Sequence, residues 1–166
     1  MAKYASRSRL GVPTLTEVSS TALMPLGTIV EGYDTVIDAN GEYRYVRFGA
    51  TVAEGEGVYI DDTNKCILAD SDVHANDGGP IGVGIGAAVD TDYGFVQISG
   101  KIKVKTPNAV AAGGKVFLNA TGGAFDDAAV AGAQVLGAEF DTADGTPAAG
   151  YAYVTAGRMH VQGQIT

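Results

Sequence analysis

Hydrophobic and polar residues alternate along the stretch that follows Asp92. One set of alternate positions is apolar or small, and it comprises Val96, Ile98, Gly100, Ile102 and Val104. The other set is polar, and it comprises Gln97, Ser99, Lys101, Lys103 and Lys105. Successive side chains of a β-strand point to opposite faces of the sheet, so this period of two predicts a strand with one face on a core and one face outward.

Further short apolar or alternating segments, bounded by Gly, Pro, Asn or Asp, predict the other strands. They cover residues 27–32, 43–48, 57–61, 65–69, 80–89, 115–120, 135–140, 149–155 and 159–165. Asn40-Gly41 predicts a hairpin turn, because both residues tolerate positive φ. Residues 156–158 are expected to be a loop, and residues 126–134 either a short helix or a loop.

The spacing of these segments predicts the fold class. About ten short strands, with turn signals roughly every 8–12 residues and no long helical period, predict one all-β sandwich or barrel-like domain of antiparallel strands. The chain has 166 residues, of which 46% are hydrophobic and 24 are glycine, so it can build a core and has many tight turns or bulges. The domain is expected to span residues 27–166.

Residues 1–26 are predicted to form an extended N-terminal arm. Ser, Thr, Pro and Gly interrupt this segment repeatedly, and its apolar residues follow no sustained period. Its first acidic residue is Glu17, although the whole chain carries a net charge of −8. A basic arm on an acidic chain suits docking to an acidic partner. The residues expected to make this contact are Lys3, Arg7 and Arg9 through charge, and Tyr4, Leu10, Val12 and Leu15 through apolar surface.

The charge distribution also bears on partners. A net charge of −8 argues against sequence-independent binding of nucleic acid. Lys101, Lys103 and Lys105 form a second basic region, which is either a subunit or partner contact or simply a solvated strand face. No apolar run reaches 18 residues, and the N-terminus lacks the apolar segment of a signal peptide, so we expect a soluble chain made in a cytoplasm, with no membrane partner.

Sequence signals for catalysis, metals or cofactors are weak. Residues 82–87 are glycine-rich like a dinucleotide-binding turn, but a turn into another strand follows where a helix is needed. Residues 70–78 alternate oxygen ligands as calcium loops do, yet lack the glycine and the closing glutamate of an EF-hand. His74 and His160 have no partner at metal-ligand spacing. Cys66 is the only cysteine and is expected to be a small core residue.

Two adjacent carboxylate pairs and one serine complete the candidate chemistry. The pairs are Asp61/Asp62 and Asp126/Asp127, and turns explain them better than general acid–base catalysis does. Ser99 lies in Gln-Ile-Ser-Gly-Lys, which is not the context of a strained nucleophile. We therefore expect a protein that is not an enzyme and that uses neither a cofactor nor a metal.

The order of several motifs resembles that of the capsid decoration, or head cement, proteins of tailed bacteriophages. The motifs comprise Leu26-Gly27-Thr28-Ile29-Val30-Glu31-Gly32, Glu42-Tyr43-Arg44-Tyr45-Val46, residues 93–105, residues 109–114 and residues 116–126. The resemblance covers most of residues 26–155. It implies a non-enzymatic β-rich protein that binds the outside of the capsid shell, commonly as a trimer, with an N-terminal arm that reaches onto the major capsid protein.

The expected function follows from this resemblance and from the arm. The chain is expected to be a structural virion protein on the outer capsid surface that bridges neighbouring major capsid proteins, and a homotrimer is the favoured oligomer. Deletion of residues 2–20 is expected to abolish capsid binding and to leave the domain folded. One alternative is another virion or host-surface-binding module, such as a head fibre or a tail component, with an aromatic patch at Tyr33, Tyr151 and Tyr153. A second alternative is a small hydrolase or sugar-binding β-domain.

Overall fold

Eleven strands and one helical turn are found among the described residues. The computed structural model describes residues 4–6, of which we describe the backbone alone, and residues 12–75, 77–145 and 148–163. The strands are β1 (Tyr4–Ser6), β2 (Ile29–Asp34), β3 (Ala39–Phe48), β4 (Gly57–Ile60), β5 (Lys65–Leu68), β6 (Gly79–Gly84), β7 (Tyr93–Lys105), β8 (Lys115–Leu118), β9 (Phe125–Asp126), β10 (Gln134–Phe140) and β11 (Tyr151–Val161), and α1 is Ser71–His74. The prediction of an all-β, sandwich- or barrel-like domain is confirmed.

Five of the strands close into a ring. Around the ring β3 pairs with β5, β5 with β4, β4 with β6, β6 with β7, and β7 returns to β3. The pairing of β3 with β5 is parallel, with Phe48 opposite Cys66, which differs from the antiparallel arrangement that we predicted. The ring encloses a first core, formed by Val46, Phe48, Val52, Val58, Ile60, Cys66, Ala88, Val96 and Ile98.

A second lobe grows from the other end of β7. There β7 pairs with β11, β11 with β10, β10 with β8, and β8 with β9. The largest fully buried side chains of this second core are Ile81, Ile102, Leu118, Phe125 and Phe140. Strand β7 is therefore shared by both lobes and is the longest strand of the described chain.

The change of partner along β7 occurs at a bulge next to Gly100. Ser99 lies opposite Glu42 and Gln97 opposite Tyr43, so Ile98 is an extra residue on β7. Gly100 has a φ of 98°, and a Cβ there would lie 2.3 Å from the carbonyl oxygen of Asn40. Only glycine fits this backbone conformation and this close approach. Gly100, the glycine in the alternating pattern, thus marks the junction between the two lobes.

The segment before β2 packs on the outer face of the ring. Leu15 is buried with Tyr43, Tyr45 and Phe95 in a third cluster. The backbones of Ser19 and Tyr93 exchange hydrogen bonds of 3.0 and 2.8 Å. Residues from Val12 onward therefore belong to the packed domain, whereas we predicted that the domain begins at residue 27. Farther toward the N-terminus, β1 pairs with the outer edge of β2.

Two predicted turns are wrong for a common reason. Asn40-Gly41 lies inside β3, and the turn between β2 and β3 falls on residues 35–38, where Asp34 Oδ1 accepts a hydrogen bond of 2.8 Å from the backbone N–H of Val36. Gly41 has a strand on each side, and a Cβ there would lie 2.7 Å from the carbonyl oxygen of Ser99. Residues 156–158, expected as a loop, continue β11 through a register shift opposite Gly137. In both places glycine permits close backbone packing or a bulge within a strand.

Candidate interaction surfaces

The seven residues predicted for the arm fall in three different situations. Lys3, Arg7, Arg9 and Leu10 lie outside the described residues. Tyr4 belongs to β1, and its backbone lies opposite Asp34. Val12 is half-buried against the third cluster. The described part of the arm is therefore attached to the domain at two places, at the edge of β2 and at the third cluster.

Leu15 lies in the interior of its own domain. Its side chain is 1% exposed and packs over Gly32 and Tyr43. A buried leucine has no surface left to offer to a partner, so the predicted capsid contact of Leu15 is replaced by a contact within the chain. A deletion of residues 2–20 would remove this core residue together with the Ser19–Tyr93 pairing. We therefore no longer expect that deletion to leave the domain folded.

The three lysines on the outward face of β7 have acidic partners within the chain. Lys101 Nζ lies 2.5 Å from Asp141 Oδ2, and Lys105 Nζ lies 2.8 Å from Glu56 Oε1. Lys103 Nζ lies 3.8 Å from Glu54 Oε2. The lysine side chains remain 25–37% exposed, so a partner can still reach them. What such a partner would meet is a row of ion pairs, with little net positive charge.

The tyrosines of the predicted aromatic patch are divided between this row, which includes Tyr151 and Tyr153, and the end of β2, which includes Tyr33. The ring of Tyr151 lies beneath Lys103 Nζ, 4.3 Å from the ring centre, and the ring of Tyr153 lies 5.1 Å from Lys101 Nζ. Cations over aromatic rings stabilise such a surface modestly. The hydroxyl of Tyr33 donates to the carboxylate of Asp38 instead. The lysines cover two of the three rings, so these tyrosines do not form one open aromatic platform.

A bidentate ion pair ties β3 to β11 across β7. The Arg158 guanidinium donates to both carboxylate oxygens of Glu42, at 2.8 and 3.0 Å, and the Ser99 hydroxyl donates to the same carboxylate at 3.0 Å. The hydrogen bonds from Arg158 lower the pKa of Glu42, partial burial opposes them, and the Ser99 hydroxyl adds to the lowering. Glu42 and Arg158 are far apart in sequence and carry no motif, so sequence reasoning missed this pair.

Two shallow grooves adjoin this ion pair. The smaller one, of about 350 Å³, is lined by Glu31, Asn40, Gly41, Glu42 and Ser99. The larger one, of about 690 Å³, is lined by Gly113, Gly137, Ala138, Glu139, Phe140, Asp141, Thr155 and Gly157. Within residues 12–75, 77–145 and 148–163 no three His, Cys, Asp or Glu side chains form a group that could hold a metal ion. The grooves offer mainly carboxylates, hydroxyls and glycine backbone.

Of the two histidines and the cysteine, His74 and Cys66 are buried and His160 is exposed. His74 is 2% exposed, its Nδ1 accepts a hydrogen bond of 3.1 Å from the Asp70 N–H, and its ring stacks on Tyr59. His160 is exposed on β11. Cys66 lies inside the ring, where burial, with the charge of Asp61 as a smaller cause, raises the pKa of its thiol to about 12. A thiol that stays protonated at neutral pH is a poor nucleophile.

The carboxylate pairs hold turns. Asp61 Oδ1 accepts hydrogen bonds of 2.9 Å from the backbone N–H groups of Thr63 and Lys65. Asp126 accepts from the side-chain amides of Asn108 and Asn119. Burial alone would raise the pKa of the Asp126 carboxyl, but these and two backbone hydrogen bonds outweigh burial and lower it. Asp61 and Asp126 thus act as hydrogen-bond acceptors for the turns and side chains around them.

The two remaining motifs also have structural explanations. Gly82 lies in β6, and the chain then runs through a turn into β7, without the helix that a phosphate-binding glycine turn requires. In the loop after β5, Asp70 caps the helical turn α1 by accepting a hydrogen bond of 2.8 Å from the Val73 N–H. Among the residues that the structure describes, neither segment contains three His, Cys, Asp or Glu side chains grouped to hold a metal ion.

Comparisons with known proteins add no relative. No protein family model matches the chain, and no curated protein matches it. Among the described residues, no helix is long and apolar enough to cross a membrane.

Proposed function

We propose that this chain is a structural virion protein that binds the outer surface of a phage capsid and stabilises the shell by bridging neighbouring major capsid proteins. The segments that carry the resemblance contribute to β2, β3, β7, β8 and β9, and β7 is the strand that both lobes share. In the smaller groove the Glu42 carboxylate already accepts hydrogen bonds from Arg158 and Ser99, which lower its pKa and favour an ion-pair role over that of a general base.

The observation that carries the proposal is the way in which the N-terminal segment is anchored. Leu15 in the third cluster and Ser19 on Tyr93 fix the segment to the outer face of the ring. The basic residues Lys3, Arg7 and Arg9 precede this anchor in sequence. An anchored basic segment on a domain of opposite charge directs electrostatic docking through one end of the molecule.

To bridge neighbouring capsid proteins, each bound oligomer must make more than one contact with the shell. In a trimer each copy would contribute one arm, so individually weak contacts would add to a persistent attachment. The major capsid protein is the partner in this proposal, and nucleic acid, a membrane and a cofactor have no part in it.

The direct test is sedimentation of the protein with capsids that lack it. We expect the unaltered chain to sediment with the capsids, and the triple variant Lys3→Glu, Arg7→Glu, Arg9→Glu to lose at least tenfold in affinity. A matched variant makes the same change of charge on exposed residues of the domain, Arg47→Glu, Lys65→Glu and Lys115→Glu, and should lose less. Equal losses in the two variants would show that general charge, and not the arm, determines binding.

Deletion of residues 2–11 tests the arm without disturbing the anchor. The shortened chain keeps Val12 and Leu15, so it should melt within a few degrees of the full chain and yet fail to sediment with capsids. Electron microscopy of decorated capsids should show density at symmetric positions between capsomers. Density at a single vertex or on the tail, or binding to host cells without binding to capsids, would favour the head-fibre, tail or host-surface alternative.

A further inference from the structure

Residues 12–24, which we call the strap, lie across the outer face of the ring but take no part in closing it. The pairings that close the ring join β3, β5, β4, β6 and β7, and none of them includes a residue of the strap. Removal of the strap would therefore leave each of these pairings in place. A segment that is not needed for the pairing of the strands beneath it can open without global unfolding.

The strap has little buried surface and little regular pairing. Leu15 is its one buried residue, the others being half-buried or exposed, and the side chain of Leu23 is 47% exposed. Its backbone meets the ring at Ser19, which forms an isolated bridge with Tyr93, and at the Leu23 N–H, which donates a hydrogen bond of 3.1 Å to the Tyr45 hydroxyl. Segments with few buried apolar contacts open at a lower free energy than the strands of a core.

The face beneath the strap is aromatic. Leu15 packs with Tyr43, Tyr45 and Phe95, which belong to the strands of the ring, and it lies so close over Gly32 that a Cβ there would collide with its side chain. Burial of this apolar face favours the closed strap, so the open form is a minor state. Opening would uncover the aromatic side chains on a ring that keeps its shape.

We propose that the strap opens and closes as a unit over a ring that stays closed, and that it thereby covers and uncovers the aromatic face. A partner that binds the uncovered face or the released strap would shift the population toward the open form. The use of this opening on a capsid rests on the function proposed above, in which the N-terminal segment contacts the shell. The opening itself is a property of the free chain and is measured without capsids.

Two backbone amides on paired strands distinguish opening of the strap from global unfolding. The Tyr93 N–H donates a hydrogen bond of 2.8 Å to the carbonyl oxygen of Ser19 on the strap. Arg47 lies opposite Tyr93, and its N–H donates a hydrogen bond of 3.0 Å to the carbonyl oxygen of Asn64 within the ring. Opening of the strap exposes the Tyr93 amide alone, whereas global unfolding exposes both.

The test is native-state hydrogen exchange of the full chain, followed by NMR at low concentrations of urea. We expect the Tyr93 amide to be protected from exchange, but at least about tenfold less than the Arg47 amide. Its protection should also depend less on urea, because opening exposes less surface than global unfolding does. Equal protection of the two amides with the same dependence on urea would overturn the proposal, and so would an unprotected Tyr93 amide.

Ile60→Val provides a second, independent readout. Ile60 is fully buried in the core inside the ring and lies outside the cluster beneath the strap. The variant should lower the protection of the Arg47 amide by about twofold to tenfold and leave that of the Tyr93 amide unchanged. Equal losses at the two amides would show that the strap opens only with the ring. Because no capsid is present, that failure is separate from a failure of capsid binding.

Discussion

The two halves of β7 have similar alternating sequences but different surroundings. In the first half every residue from Gly94 to Ile98 is buried, including Gln97, which we predicted to face outward. In the second half the alternation holds as predicted, with Ile102 and Val104 buried beneath the row of lysines. The difference arises because the segment around Leu15 covers the outer face of the first half, while the outer face of the second half meets solvent.

The comparison shows what a period of two can and cannot indicate. A polar residue on the alternate face is outward only if nothing else covers that face. The side-chain amide of the buried Gln97 donates hydrogen bonds of 3.1 Å to the carbonyl oxygens of Ser99 and Lys101. Its amide is satisfied by the strand's own backbone at the bulge, so burial does not leave those N–H groups unpaired.

Phe95→Ala should produce the largest contrast between the two halves. Phe95 is buried and packs edge-to-face on Tyr45, with 5.1 Å between the ring centres. We expect the free energy of unfolding to fall by about 3–5 kcal/mol, as for other buried aromatics. The matched change on the exposed face of the second half, Lys103→Ala, should cost less than about 1 kcal/mol. Equal losses in urea titrations would mean that the two outer faces are equivalent.

Leu15→Ala tests whether the N-terminal segment is what covers the first half. Removal of this buried side chain should cost about 2–5 kcal/mol of unfolding free energy, because it leaves a cavity above Gly32 and Tyr43. The control is Leu23→Ala, at a side chain that is 47% exposed, and it should cost much less. A small loss for Leu15→Ala would show that residues 12–24 contribute little to the domain.

Gly100→Ala addresses the junction between the halves. A methyl group at a φ of 98°, directed at the carbonyl oxygen of Asn40, should cost about 1–3 kcal/mol of unfolding free energy. Gly86→Ala is the matched control, since a methyl group at that position would have no other atom within 4 Å, and it should change stability by less than about 1 kcal/mol. Thermal melts of the two variants provide the comparison, and similar melting temperatures would argue against a strained junction.

Glu42→Gln tests, through the pH dependence of stability, the ion pair with Arg158 that lies beside the junction of the two halves. The pKa of Glu42 is lower in the folded chain than in the unfolded one, so the carboxylate stabilises the fold above its unfolded pKa of about 4.3. That contribution is lost as the pH falls through the lower, folded pKa. At pH 7 the free energy of unfolding of the unaltered chain should be higher than that of the variant by less than about 1 kcal/mol, since Arg158 is largely exposed. The gap should close in acid, and a gap that is constant with pH would exclude ionisation as its cause.

Local sequence patterns predicted the strands better than they predicted how the strands meet. The hairpin of β4 and β5 is correct because it is local, with Asn64 at positive φ in its turn. No single local pattern encodes contacts between residues that are distant in sequence. Such contacts include the closure of the ring, the parallel pairing of Phe48 with Cys66, and the Glu42–Arg158 ion pair. The burial of Leu15, one of the predicted contact residues, was missed because the apolar residues of this extended segment are irregularly spaced. Without a regular period, the sequence does not indicate which of them face a core.

The sharing of β7 between two lobes has a consequence for the order in which the chain can fold. One half of β7 pairs with β3, which lies about 50 residues earlier in the sequence. The other half pairs with β11, which lies about 50 residues later. Contacts of such long sequence separation slow folding, because loop closure must precede the gain from pairing. On a ribosome, the ring could close once β7 has emerged, while the edge that β11 will cover stays open until β11 has emerged as well. We therefore expect folding in two kinetic phases, with aggregation most favoured in the interval between them.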